Sequence, residues 1–327
     1  DLELVPEDSA VKVAVETLDK HIGGTATAEL MVTAKDGNLK DLKVIQGLDA
    51  IAKEVLSFED DGAEAELVTH AMSVVNIVKE TRRALMENDP AGYGLPEKQA
   101  ALSELLLLFE NQSPEETKKV ASIDWSATHL TFRVRWREAT GYQALVEHIE
   151  QSAAKHLGDE VLARGTGSVF IACRLVSLLL RDLAVSFGSA FLFVAVFMVF
   201  MLRDFKLGII AMLPNLFPIA LVLGAMGWLG VPIDLNSLLV ASIALGIAVD
   251  DTVHFLHHFK AGMLKTRGNV EDSIAMAVST AGRAMVMTSI ILIGGFAVFG
   301  FASTDASVRF GLLTAATIVC ALIVDMT

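Results

Sequence analysis

The sequence predicts two joined parts. Residues 1–167 read as an α+β domain, a ferredoxin-like sandwich with a split β-α-β order and a helical insertion. Residues 168–327 read as a bundle of five membrane-spanning α-helices. Three observations carry this reading. The 327-residue chain is 53% hydrophobic with mean hydropathy +0.52, too apolar for an ordinary soluble protein. Its charge is divided unevenly: residues 1–165 hold 30 acids and 17 bases, and residues 166–327 hold nine of each, so the whole excess of 39 acids over 26 bases falls in the first part. The second part contains uncharged runs of bilayer length. A domain this acidic argues against nucleic acid as a partner. The two cysteines, Cys173 and Cys320, suggest neither a disulfide framework nor a metal site.

The first domain is read element by element. Ser9 caps a helix running to about His21, and Gly23-Gly24 ends it. Thr25 to Ala34 alternates as a strand, Lys35 to Asn38 is a turn, and Leu39 to Leu56 has helical periodicity. Glu64 to Thr69 reads as a second strand and Met72 to Met86 as a helix. Asn88 to Pro96 is a loop, and Glu97 to Glu110 is a helix. Thr128 to Trp136 alternates at period two and is the clearest strand. Tyr142 to His156 is helical, and Asp159 to Gly165 is the last strand. His21, His70, His129, His148 and His156 are scattered. No catalytic triad, phosphate loop or metal spacing appears, so no enzyme, cofactor or metal site is expected; the domain is read as carrying a substrate path.

The spans follow from runs without charge: Leu183–Leu202, Leu207–Ile233, Leu235–Val249 with its apolar continuation to Phe259, Ala284–Thr304 and Phe310–Val324. The expected helices cover about 169–203, 207–229, 233–259, 279–303 and 308–327. Pro214 and Pro218 remove backbone donors inside the second span and should kink it. Bases mark one side of the membrane. Arg203 and Lys206 flank the first turn, and Lys260, Lys265, Arg267 and Arg283 crowd the connection between spans three and four. The Gly230–Asp234 turn has no base, and Ser303–Arg309 has one. The positive-inside rule then makes 203–206 and 260–283 cytoplasmic and puts residues 1–165 outside. The polar opening Asp1–Ser9 offers no signal peptide. The expectation is a piece of a longer polypeptide, with an earlier membrane helix to carry the domain across.

The chemistry concentrates in span three. Asp250 and Asp251 stand side by side within an apolar stretch, slightly past the midplane of a core about 30 Å thick. An ionised carboxylate there costs at least ~2.5 kcal/mol, and two neighbours repel. Burial and repulsion both favour the protonated form, which makes the pair a proton-relay candidate. Ser242, Gly246, Asp250 and His254 recur at spacing four and share one helix face. Ser242 and Gly246 are small enough to admit a neighbouring helix closely. His254, Thr252 and Ser242 are candidate supporting polar groups, joined by Thr288 and Ser289 in span four.

Five stretches carry a resemblance: Leu213-Pro-Asn-Leu-Phe-Pro218, Gly230-Val-Pro-Ile-Asp-Leu235, Gly246-Ile-Ala-Val-Asp-Asp-Thr-Val-His254, Ala281-Gly-Arg-Ala-Met-Val-Met-Thr-Ser289 and Ala321-Leu-Ile-Val-Asp325. They resemble one half, more like the second, of a resistance-nodulation-division (RND) transporter in the MMPL and hopanoid branch of lipid exporters. The outside domain is similar more loosely, around Ala127–Trp136 and Arg164–Gly167. Members are built as two such halves, each with one helix, a porter domain and five helices. The resemblance therefore implies a half without its first helix, set in a bacterial inner membrane with a periplasmic porter domain. It implies proton-motive-force-driven export of lipids or other hydrophobic molecules, with Asp250 and Asp251 titrating during the cycle. The implied partners are the substrate, membrane lipids, the other half in the same or another chain, and a further copy or a periplasmic accessory protein. No lysine lies within a span, whereas drug-efflux members use one as counter-charge, so the partner of the acids stays open. Two other readings share the five-helix unit or the Asp motif: a sterol-sensing, receptor-like protein without transport, and an auxiliary subunit of protein secretion.

Overall fold

The structure, a computed structural model, describes residues 9–34, 39–59, 66–159, 161–230 and 235–326. The expected turn at 35–38, the beginning of the strand expected from Glu64 and the Gly-Val-Pro-Ile-Asp turn beyond Gly230 lie outside the described residues. The chain divides into two compact units, residues 8–176 and a second containing 177–327.

In the first unit, helix α1 (Ala10–Ile22) starts where the Ser9 hydroxyl accepts the Lys12 N–H at 3.2 Å and stops at Gly23, whose φ of 84° suits a residue without Cβ. Strand β1 (Ala26–Ala34) turns Ala28, Leu30 and Val32 inward and Met31 outward, as the period of two requires. In α2 (Leu42–Leu56), capped by Asp41, the buried stripe is Ile45, Leu48, Ile51 and Val55. Strand β2 is Val68–Met72, later than the Glu64–Thr69 expected. This short edge strand has little alternation, and it stops because Ser73 and Asn76 form a reciprocal capping box for α3 (Val74–Leu85). A 3₁₀ turn at Pro90–Gly92 interrupts the expected loop. The insert continues as α4 (Gln99–Gln112) and α5 (Pro114–Thr117). Strand β3 (Ala127–Val134), α6 (Gln143–His156) and β4 (Val161–Thr166) complete the unit.

The sheet order is β2-β3-β1-β4, and every neighbouring pair is antiparallel. Each of α2 and α6 thus joins two parallel strands with a third strand between them. The core gathers Leu30, Leu48, Leu102, Leu130, Phe132 and Ile149. Each fully buried side chain of this kind contributes about 1.5–3 kcal/mol, whereas a solvent-exposed ion pair such as Lys118–Glu115 is screened by water and adds little. Packing therefore dominates the unit. Gly165 is required by the core: a Cβ there would lie 1.9 Å from the Phe170 ring.

One surface turn titrates. Asp124 accepts hydrogen bonds from the hydroxyls of Ser122 (2.7 Å) and Ser126 (2.8 Å) and from the Ser126 N–H, which hold its carboxyl down at about 2 instead of 3.8. A depressed folded value contributes stability that is present above the unfolded value and lost as pH falls through the folded one. Urea unfolding, followed by Trp125 and Trp136 fluorescence, should therefore show a loss between pH 3.8 and about 2 that Asp124→Asn lacks. Superposable pH profiles of the two proteins would exclude the effect.

The second unit consists of helices long and apolar enough to cross a membrane. The first span is α7 (Gly167–Leu202). After the turn at Arg203, Asp204 caps α8 (Phe205–Ile210), and α9 (Leu213–Trp228) completes span two. The break at Ala211-Met212 is the expected effect of Pro214, whose ring displaces the backbone near Ile210; Pro218 sits buried inside α9. Span three is α10 (Leu235–Lys265). Span four joins α11 (Val270–Ala277), a π turn (Val278–Gly282), α12 (Arg283–Ala297) and a 3₁₀ turn to Phe301; span five is α13 (Asp305–Met326).

Two expected boundaries move. The connection expected over 260–278 is helical except for 266–269, and span five begins at Asp305 instead of 308. Charges ended the uncharged runs, but they do not end helices, since long basic side chains reach toward water from a helical backbone. The turn lies where Gly268 has φ 91° and Asn269 caps α11.

Candidate functional site

Helix α10 is the centre of the second unit, packed against α9, α11 and α13. Its buried stripe is Ala241, Ala244, Leu245, Ala248, Asp251 and Thr252, a helical spacing of three and four. The small alanines bring neighbouring backbones near, and the stripe ends in two polar groups.

Adjacent residues on a helix point about 100° apart. The two acids are therefore not equivalent. Asp251 is 7% exposed, whereas the Asp250 side chain is 73% exposed and looks away from the other helices of this unit. His254 lies one turn on from Asp250, its Nε2 at 3.6 Å from Oδ1. That separation is too long for a hydrogen bond and amounts to an ion pair only when the imidazole is protonated.

Beside Asp251, the Thr252 hydroxyl donates to Asn215 Oδ1 at 2.8 Å. Asn215 is 0% exposed and stands between the two prolines of α9; its amide nitrogen donates to the Ala211 carbonyl at 3.0 Å, where α8 has given way to α9. One side chain thus satisfies backbone at the break and a hydroxyl on α10. This residue escaped the sequence reading because it is uncharged and lies within an uncharged run. Asp325 escaped it as well, having been read as the end of the fifth run. It lies on α13, which packs on both α9 and α10, and its Oδ2 is buried.

The other sequence candidates lie apart from this cluster. Ser242 donates to its own helix at the Leu238 carbonyl, 3.0 Å away. Thr288 donates to the Ala284 and Met285 carbonyls and meets no carboxyl group among the described residues; Ser289 is buried in span four. Among the described residues nothing comes within 4 Å of a Cβ placed on Gly246, so none of the described helices closes there. The close approach falls instead at Gly311, where a Cβ would lie 2.3 Å from the Phe299 Cβ and 2.6 Å from the Phe296 carbonyl oxygen. Ile219 of α9 packs with Ala241, Ala244 and Leu245, away from the exposed Ser242, Gly246, Asp250 and His254.

In the first unit the histidines stay dispersed. His156 Nε2 lies 2.5 Å from Glu54, and His148 packs against the Phe58 ring. The hydrogen bond from His156, then that from Lys155, lowers the Glu54 carboxyl below its usual range. Among the described residues no three or more His, Cys, Asp or Glu side chains gather as metal ligands. A groove of about 750 Å³ runs between α6 and β4, lined by Leu30, Ala153, Leu157 and Val161 together with Arg164 and Arg174.

No family model matches the chain. It is similar to "Putative membrane protein MJ1562" of Methanocaldococcus jannaschii, 22% identical over 336 residues that cover 99% of this chain and 81% of that protein. The five apolar helices and this likeness agree: the chain is a membrane protein.

Proposed function

From a membrane protein that buries a carboxyl group in its third span, we propose a proton-motive-force-driven exporter of lipids or other hydrophobic molecules. It belongs on this reading to the RND type, in the MMPL and hopanoid branch. The first unit is its ferredoxin-like porter domain, with the sheet order β2-β3-β1-β4 and two split β-α-β connections in support. The second is an RND- or sterol-sensing-like bundle.

The observation that carries the reading is Asp251, enclosed between packed spans beside the Asn215–Thr252 hydrogen bond. An acid in that position can gain and lose a proton, which an aliphatic side chain of its size cannot do. Asp250 and Asp251 form the relay, and His254 supports Asp250. One charge moved through 100 mV yields about 2.3 kcal/mol, similar to the cost of placing one ionised acid at that depth. Protonation is thus strong enough to choose between two packings of α10.

The outward position of Asp250 and His254 supports a partner. A polar stripe on a membrane helix requires a covering surface other than lipid. That surface belongs on this reading to the other half of the transporter, in the same or another chain. The groove beside Arg164 and Arg174 suits the porter domain as a path for amphiphiles.

On this reading residues 1–165 lie on the periplasmic side of a bacterial inner membrane and the 266–269 turn in the cytoplasm, and the distribution of loop bases supports that orientation. Single cysteines at Ser57 and Thr266, in a background without Cys173 and Cys320, test this on intact cells. An impermeant maleimide should label Ser57→Cys from outside and Thr266→Cys only after permeabilisation. The reverse pattern would put the porter domain on the wrong side for export and end the proposal.

A further inference from the structure

We propose that Asp325 of α13 is a further proton-binding group, which takes up the proton that Asp251 of α10 releases. This rests on the reading of Asp251 as a proton carrier. Three observations lead to it. Asp325 Oδ2 is buried and has no hydrogen-bond partner among the described residues. Asp251, also buried, makes no hydrogen bond or ion pair among them. The helices that carry the two acids pack directly on each other.

A buried polar oxygen left without a partner costs about 1–3 kcal/mol, and more when charged. Two ionised carboxylates facing across a helix contact would add repulsion. A single proton held between them removes both costs, because the O–H of one acid then donates to the carboxylate of the other, directly or through a water. In the transfer an O–H bond breaks on Asp251 and one forms on Asp325. The pair carries one negative charge before and after.

Among the described residues no lysine or arginine forms an ion pair with Asp251 or Asp325. On α10 the groups that act on Asp251 are Asp250 and His254. Helix α9 brings Asn215 and no charged side chain, and α11 carries Glu271 and Asp272. A Cβ placed on Gly282 of span four would lie 3.3 Å from Met326 Cε, yet the neighbouring Arg283 forms no ion pair with either acid among the described residues. The remaining charges of α13, Asp305 and Arg309, belong to its first turns.

Infrared titration of the protonated-carboxyl band tests the pair in the intact protein. An Asp250→Asn background removes the adjacent acid. In that background the band should titrate in two linked steps, as interacting acids do, and adding Asp325→Asn should leave one. A single step in the background itself overturns the proposal without any change at Asp325. Proton flux driven by an imposed pH gradient is the second measurement, in vesicles of phosphatidylethanolamine and phosphatidylglycerol. Asp325→Asn should lower it by roughly a hundredfold or more, and Asp325→Glu should keep part of it. Normal flux in Asp325→Asn, with flux lost in Asp251→Asn, removes Asp325 from the path and leaves the relay at Asp251 standing. Normal flux in both variants removes the relay itself.

Discussion

Asp251→Asn should reduce pH-gradient-driven proton flux to that of protein-free vesicles while the protein still inserts and folds. The amide keeps the size and the polar outline of the acid but cannot release a proton. Asp251 contributes no hydrogen bond or ion pair to the described structure, so the exchange breaks no contact, and burying a neutral amide costs less than burying a charge. Unchanged gel-filtration behaviour and thermal unfolding are therefore expected alongside the lost flux. Asp250→Asn should also stop flux, whereas His254→Gln should only slow it, because the imidazole is 3.6 Å from Asp250 and 64% exposed. Full flux in the Asp250→Asn, Asp251→Asn double variant would refute the mechanism.

Phe132→Ala is expected to have the largest effect on stability. The ring is 0% exposed in the middle of β3, between strands β1 and β2. Removing such a ring costs about 3–5 kcal/mol through lost burial and the cavity left behind. A domain has only ~5–15 kcal/mol to lose. The Trp125 and Trp136 transition in urea should move to much lower denaturant, while the helical signal of the second unit persists. A midpoint close to that of the unaltered protein would show that the core does not centre on this strand.

The residues that announced themselves in the sequence were those with a local signal. Ser9 and Gly23 bound α1, and the alternation of β3 was plain because one face of that strand is buried along its length. β2 was misplaced because a short edge strand is defined by its partner and by the Ser73 cap that ends it. The span boundaries erred where charge was taken for a helix end. Lys260 lies within α10, and Asp305 opens α13, where an acid suits the helix dipole. The acids of span three were legible as a pair, but their different surroundings were not. Which face of α10 meets α9 and α13 depends on the alanine stripe, and both faces carry small residues. Asn215 and Asp325 acquire meaning only through helices remote in sequence. The same holds for Gly311, which is set against Phe299.

The π turn at Val278–Gly282 has a consequence for the fourth span. A π turn contains about one residue more than an α turn, so it advances the phase of everything after it by about 100°. Ser273 and Ala277, buried on α11, and Met285 and Ser289, buried on α12, recur at multiples of four, a row that drifts about 40° per step around an unbroken helix and that the π turn resets. Deleting a single residue within the turn would rewind it to an ordinary helix and leave the outer half, Ser289 included, in its present orientation, whereas closing the turn without a deletion would rotate that half by about 100°.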